Sequence, residues 1–380
     1  MLLLLFYTIN NAVIILWAAI FCFRKPTKTK NLIFILLAFS QLFILMAFRN
    51  HIGFDYDMYA VGFRSMAHTG FTTLEFKDWE TGFIIFTKLL GLIPGLDYQM
   101  YMIILSVIAI LPAAIFIYKN SDVPWLSTIL YVNMFMYFMS MNFLRQMIAV
   151  SLVLLAWHFM KNNKFILYAV IIVFASFFHQ TVLVMIPVYF LIKIKPGLKE
   201  MLIYGFILLW FYTASTNLID LVTNFYHEEY KETVFIQEGV SFIYAILPIF
   251  ITVCAFLLIK TETINLTREN RYLTNLTFIG TLMMITMSKH SIIERLSYYF
   301  IMFMIVLVPV IYQSLKTKGI KYTTSNERVI NLTSKKSRTA LALSFLFVVL
   351  GLSCMHFYYG LSENAHGAEH YQTWLHVFGL

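Results

Sequence analysis

The chain has 380 residues, of which 60% are hydrophobic and only 12% charged, with a mean hydropathy of +0.76. A soluble domain carries roughly a quarter charged residues, so this balance excludes a soluble globular protein. The net charge of +9 sits mostly in short segments between apolar runs; it is an orientation signal for a membrane protein and not a nucleic-acid footprint. No polar stretch is long enough to fold separately, so residues 1–380 are read as a single integral membrane domain. The expected fold class is all-α: a polytopic transmembrane bundle of about 10–12 spans with one short hairpin or re-entrant segment at 165–191.

In chain order, Leu2 to Phe23 is too long for a signal-peptide core, and "RKPTKTK" follows it without a small-residue cleavage site. It reads as a retained first span. Further spans are expected over 31–48, 98–118, 123–140, 143–160, 201–218, 239–259, 273–289, 296–314 and 339–358. Residues 82–93 are too short to cross and are expected to lie at the interface. The run 165–191 is too long for one upright helix, is interrupted by His179-Gln180 and is flanked by "KNNK" and "KIKPGLK". It is read as going out and back. With that choice most Lys and Arg fall on the cytoplasmic side, including the basic loop 315–338, which can also touch the membrane surface. Loops 49–97 and 219–238 and both termini then face outward. The cysteines (Cys22, Cys254, Cys354) stand singly in or beside apolar runs and read as packing residues. Sequons at Asn265, Asn275 and Asn331 fall in expected cytoplasmic loops or within a span and carry no weight.

Ionisable groups near a bilayer are costly, so those left over by orientation call for a functional reading. Arg49 ends the second span, Arg145 opens the fifth in "MNFLRQMIAV", Lys289, His290, Glu294 and Arg295 lie in "SKHSIIERLSYYF", and His179 is at the tip of the apolar hairpin. All are placed on the outer rim. Arg49 and Lys77 can equally be interface anchors, Glu294 and Arg295 can simply pair with other charges, and a lone His is more often a core residue bonded to a carbonyl. Coincidence on one rim raises the functional reading. Arginine forks suit pyrophosphate, a near-neutral imidazole can take a proton from a sugar hydroxyl, and Tyr56, Tyr59, Trp79, Tyr298, Tyr299 and Trp374 can stack on sugars. Asp55-Tyr56-Asp57 has the spacing by which nucleotide-sugar enzymes hold a metal, but nucleotide sugars are cytoplasmic and this loop is placed outside. No metal and no cofactor is expected.

Four stretches, "RNHIGFDYDMY", "NFLRQMIAVSL", "FASFFHQTVLVMIP" and "ERLSYYF", resemble in order and separation the EpsG-type family of Wzy-like polysaccharide polymerases, over roughly residues 30–310. The resemblance implies a bacterial inner- or plasma-membrane glycosyltransferase. Such enzymes join undecaprenyl-pyrophosphate-linked oligosaccharide repeat units on the extracytoplasmic side, for a capsule, exopolysaccharide or O-antigen. It also implies that Gly53-x-Asp55-Tyr56-x-x-Tyr59 is the recurrent part of the first stretch and that Asp57 is not. The expected partners are the lipid-linked oligosaccharide and membrane lipid, with a chain-length regulator and a flippase as further candidates, and no nucleic acid. Arg145 and Arg295 are assigned to the pyrophosphate, with Arg49 as a third candidate. His179 is the chosen base, with His290 and Asp55 as rivals. Tyr56, Tyr59, Gln146 and Glu294 are candidate substrate contacts. An O-antigen ligase, a polyprenyl-dependent glycosyltransferase and a lipid-linked oligosaccharide flippase are the alternatives, with an acyltransferase using His179 more distant.

Overall fold

The computed structural model describes residues 2–67, 69–71, 79–197, 199–200, 202–203, 205–207, 209–210, 212–214, 239–323, 329–365 and 372–373. The described residues are 77% helical with almost no strand, in 16 helices. The all-α polytopic bundle expected from composition is therefore what the chain forms. Loop 219–238, Lys77 and Trp374 lie outside the described residues. The chain clusters into two compact units, one made of 1–186 and 357–380 and the other of 187–356.

The first unit begins with α1 (Leu2–Phe21) and α2 (Lys28–Ala47). Thr27 starts α2 by accepting the Lys30 N–H on its hydroxyl at 3.2 Å, which satisfies one of the orphan donors of a helix start. Polar side chains inside these apolar helices find one another, because hydrocarbon offers them nothing. Gln41 donates to the Asn10 side chain at 2.6 Å, Trp17 donates to Gln41 at 3.3 Å, and Asn11 donates to Asn133 at 2.9 Å. The loop that follows carries two short helices, α3 (Tyr56–Met66) and α4 (Thr81–Gly91). Each rises about 16 Å, half of a bilayer core. Next, α5 (Tyr98–Asn120) is capped by Asp97, whose carboxylate accepts the Met100 N–H at 2.8 Å.

The structure divides two of the expected spans. Residues 123–140 form α6 (Pro124–Asn133) and α7 (Met136–Asn142), separated at Phe135, whose φ of 61° is left-handed. That conformation costs roughly 1–2 kcal/mol for a side chain with a Cβ, and the Phe135 ring is packed against Phe138 and Phe357. All seven residues of α7 are buried, as expected of a helix apolar on every side. The run 143–160 follows as α8 (Leu144–Lys161). Residues 165–191 make α9 (Phe165–Ser176), a turn, a 3-10 segment (Gln180–Val184) and α10 (Met185–Leu191). The Tyr168 hydroxyl in α9 donates to the Met185 carbonyl at 2.8 Å, so the chain doubles back with His179 at the turn.

In the second unit, α11 (Ile243–Lys260) packs on α12 (Arg268–Thr286) through a Thr252–Thr281 hydroxyl pair at 2.8 Å. The expected span 296–314 is a pair, α13 (Ile292–Ile301) and α14 (Met304–Thr317), bent by 46°. A two-stranded hairpin, Ile320–Thr323 with Val329–Leu332, lies within the basic segment before α15 (Lys335–Ser362). Asn275 is buried, and its amide donates to the carbonyls of Ile192 and Ile194, so the sequon there is packing. Among the described residues, four helices are long and apolar enough to cross a membrane (α2, α5, α11 and α15), or five with the bent pair as one.

Candidate active site

The first unit gathers a glutamate, an arginine and a histidine from three separate segments. Glu80 immediately precedes α4, Arg145 is the second residue of α8, and His179 forms the turn of the apolar hairpin. What lets these segments approach is Gly82. A Cβ there would come within 2.5 Å of the Phe177 Cβ, so only glycine lets the start of α4 lie against the turn that carries His179. Glu80 then uses both carboxylate oxygens. Oε2 accepts from Arg145 Nη1 at 2.5 Å, and Oε1 lies 2.7 Å from His179 Nδ1. The side chains of Arg145 and His179 are each 19% exposed and that of Glu80 is 11% exposed.

Burial alone would raise the Glu80 carboxyl, but the hydrogen bond from His179 and the charge of Arg145 outweigh it and hold the group below its ordinary value. Glu80 is also the N-cap residue of α4, where the helix dipole favours an anion. With Nδ1 committed to Glu80, the His179 ring is fixed so that Nε2 is the nitrogen left to exchange a proton. Aromatic rings wall the cluster. The Trp79 ring centroid lies 5.5 Å from the Arg145 guanidinium carbon, within cation–π range. Tyr59 stands 5.4 Å from Trp79, centroid to centroid, and accepts the Arg145 backbone N–H on its hydroxyl at 3.4 Å. Burial raises the Tyr59 phenol, with Arg145 opposing, so it is a neutral hydroxyl at neutral pH.

Arg145 and His179 come from "NFLRQMIAVSL" and "FASFFHQTVLVMIP", and the EpsG family model matches residues 4–324, most of the chain. The chain belongs to the EpsG family. EpsG membership supports a Wzy-like polysaccharide polymerase in general terms, in a multi-pass membrane protein. Neither curated proteins nor solved structures gave a match.

In this EpsG-family chain the "RNHIGFDYDMY" stretch does several jobs. Arg49 is fully buried and donates to the backbone carbonyls of Met46 at 2.6 Å, Ile52 at 3.2 Å and Met141 at 2.9 Å. Its guanidinium clamps the loop to α7. Its backbone pairs antiparallel with Thr373. Gly53 has φ +92°, and a Cβ there would sit 2.8 Å from Asn142 Oδ1. Asn142 in turn accepts the Asp55 N–H at 3.4 Å, and Asp55 occupies the N-cap position of α3. Tyr56 is buried, its carbonyl accepting from the Tyr98 hydroxyl at 3.1 Å. Asp57 turns to His51, 2.7 Å from its Nδ1, both exposed. Gln146, next to Arg145, is buried. His290, Glu294 and Arg295 belong to the second unit. There His290 is buried, and Glu294 accepts from the Tyr298 hydroxyl at 3.3 Å.

Glu80 is the residue that the sequence reading passed over. It was one acid among many in loop 49–97, and nothing in its spacing ties it to Arg145 or His179. The usable signal was local: "DWETGF" puts an acid two residues before a glycine that opens a short apolar segment, next to a tryptophan already singled out.

Proposed function

We propose that this protein joins oligosaccharide repeat units carried on undecaprenyl pyrophosphate, on the extracytoplasmic face of a bacterial inner or plasma membrane. The observation that carries the reading is the single Glu80 carboxylate shared by Arg145 and His179. A hydroxyl of the acceptor sugar attacks the anomeric carbon of the donor chain; the carbon–oxygen bond to pyrophosphate breaks, and undecaprenyl pyrophosphate leaves with the electron pair. His179 Nε2 takes the hydroxyl proton. Glu80 holds the ring through Nδ1 and stabilises the imidazolium that forms. Arg145, at the N-terminus of α8, meets the charge growing on the leaving pyrophosphate, where a guanidinium and oriented N–H groups favour an anion. Arg295 is a second pyrophosphate candidate on its chemistry. His290 remains the rival base, and Asp55, Gln146 and Glu294 are candidate sugar contacts. Arg49, bonded to three carbonyls, is better suited to holding the site than to binding substrate.

The test is a deletion strain complemented with Arg145→Ala, His179→Ala or Glu80→Gln, each checked for normal membrane abundance. The expected result is loss of long polymer with single repeat units accumulating outside the cell. Full-length polymer from Arg145→Ala and His179→Ala would overturn the assignment. Repeat units trapped inside would favour a flippase. Purified protein given only lipid-linked repeat units should make a ladder, which a ligase would not.

A further inference from the structure

The α3 helix presents a second built feature that the reacting cluster does not use. Tyr56, Asp57, Ala60, Val61 and Arg64 share one face at i, i+1, i+4, i+5 and i+8 and line a recess of about 430 Å³. That volume is within the range of small-ligand sites. Asn50, His51, Asp97, Tyr98 and Gln99 complete the lining of the recess. Tyr59, on another face of the same short helix, accepts the hydrogen bond from Arg145. One helix thus joins the recess to the reacting cluster.

We propose that this recess is a glycan subsite that holds a sugar of the protein's own oligosaccharide, away from the pyrophosphate, in preference to an unrelated glycan. The proposal rests on the polymerase reading above for its substrate class. Its lining is what a sugar ring needs. Carboxylate, amide and guanidinium groups are planar, and each can engage neighbouring hydroxyls, with carboxylates forming the stronger, charge-assisted bonds. Ala60 and Val61 offer an apolar patch to the carbon–hydrogen face of a ring. Charge separates this site from the one for the lipid headgroup. Two carboxylates, Asp57 and Asp97, and one guanidinium, Arg64, line the recess, His51 is paired with Asp57, and the Arg49 guanidinium lies over the Tyr56 ring, so the charges nearly cancel. Such a balance does not attract a pyrophosphate, whereas Arg145 at a helix N-terminus does.

The experiment is equilibrium titration of the purified full-length protein in detergent. The probe is the lipid-free oligosaccharide released by mild acid from the lipid-linked units that a deletion strain accumulates, and maltoheptaose is the control glycan. Val61 is 59% exposed, so Val61→Trp fills the recess without disturbing the core; Arg64→Ala removes a donor. The expected result is saturable binding that Val61→Trp and Arg64→Ala weaken at least tenfold, that Glu80→Gln leaves intact and that inorganic pyrophosphate does not displace. Unchanged binding in both recess variants, no binding by the wild type, equal binding of maltoheptaose, or displacement by pyrophosphate would each overturn the proposal. Binding that behaves as expected in a protein unable to make a ladder would keep the subsite and remove the polymerase reading.

Discussion

Replacing Glu80 with glutamine is the sharpest perturbation of the proposed chemistry. The carboxylate now makes two charge-assisted contacts, 2.5 Å to Arg145 and 2.7 Å to His179. A glutamine keeps one acceptor and substitutes an NH2 donor for the other, so it can serve either Arg145 or His179 but faces the remaining one with a donor. One charge-assisted bond of about 2 kcal/mol is lost, which corresponds to about a thirtyfold fall in rate if it acts in the transition state. Loss of the charge that steadies the His179 imidazolium adds to this and takes the expected fall to roughly 30- to 300-fold. Glu80→Asp should also be defective, because one methylene less cannot reach both partners. The assay is ladder formation by purified protein from lipid-linked repeat units, with initial rates at saturating substrate. In a double-mutant cycle, Glu80→Gln should cost little more once His179→Ala is present, since a positioning residue acts only through what it positions. A Glu80→Gln protein with wild-type turnover, or full additivity with His179→Ala, would refute the reasoning.

Acidification gives an independent check on the same carboxylate. Its folded pKa lies below the ordinary 4.5, so its stabilising contacts are fully present above that value and are lost as pH falls through the lower folded one. The melting-temperature gap between wild type and Glu80→Gln should therefore be open at about pH 5 and close on further acidification; a gap that persists there contradicts the pairing. Arg49→Met leaves three buried carbonyls without their donor and should destabilise by roughly 3–5 kcal/mol, seen as low membrane abundance and a lowered Tm. Normal abundance with a raised KM for lipid-linked donor would instead return Arg49 to the pyrophosphate. Gly53→Ala meets both a left-handed backbone and Asn142 Oδ1; a loss of about 1–2 kcal/mol is expected, and adding Asn142→Ala should relieve only the steric part. Tyr59→Phe removes the acceptor for the Arg145 N–H and should lower Tm by the equivalent of about 1 kcal/mol.

Much of this protein was legible because the bilayer imposes rules that a single sequence can express. Apolar runs of the right length announce helices, and two fully expected spans, 31–48 and 98–118, appear as α2 and α5. The turn at His179-Gln180 was readable from a polar pair interrupting an apolar run, and the Tyr168–Met185 bond closes the hairpin there. Breaks were less legible. Phe135 looks like any core aromatic, yet between α6 and α7 it takes a left-handed conformation, with its ring packed on Phe138 and Phe357. The bend between α13 and α14 likewise falls within a run with no proline or glycine at the break.

The site divides in the same way. Composition and the four stretches were enough to determine the membrane class, the family and the candidacy of Arg145 and His179, because charge in an apolar chain is conspicuous by its cost. Which charges meet was decided by tertiary structure. Arg49 and Arg145 look alike in sequence, but one is bound to carbonyls and the other to a carboxylate. Glu80 reaches His179 across 99 positions of chain, and it does so because Gly82 lets α4 lie against the hairpin turn. A close approach between segments so far apart is a property of packed backbones, and no local pattern of residues encodes it.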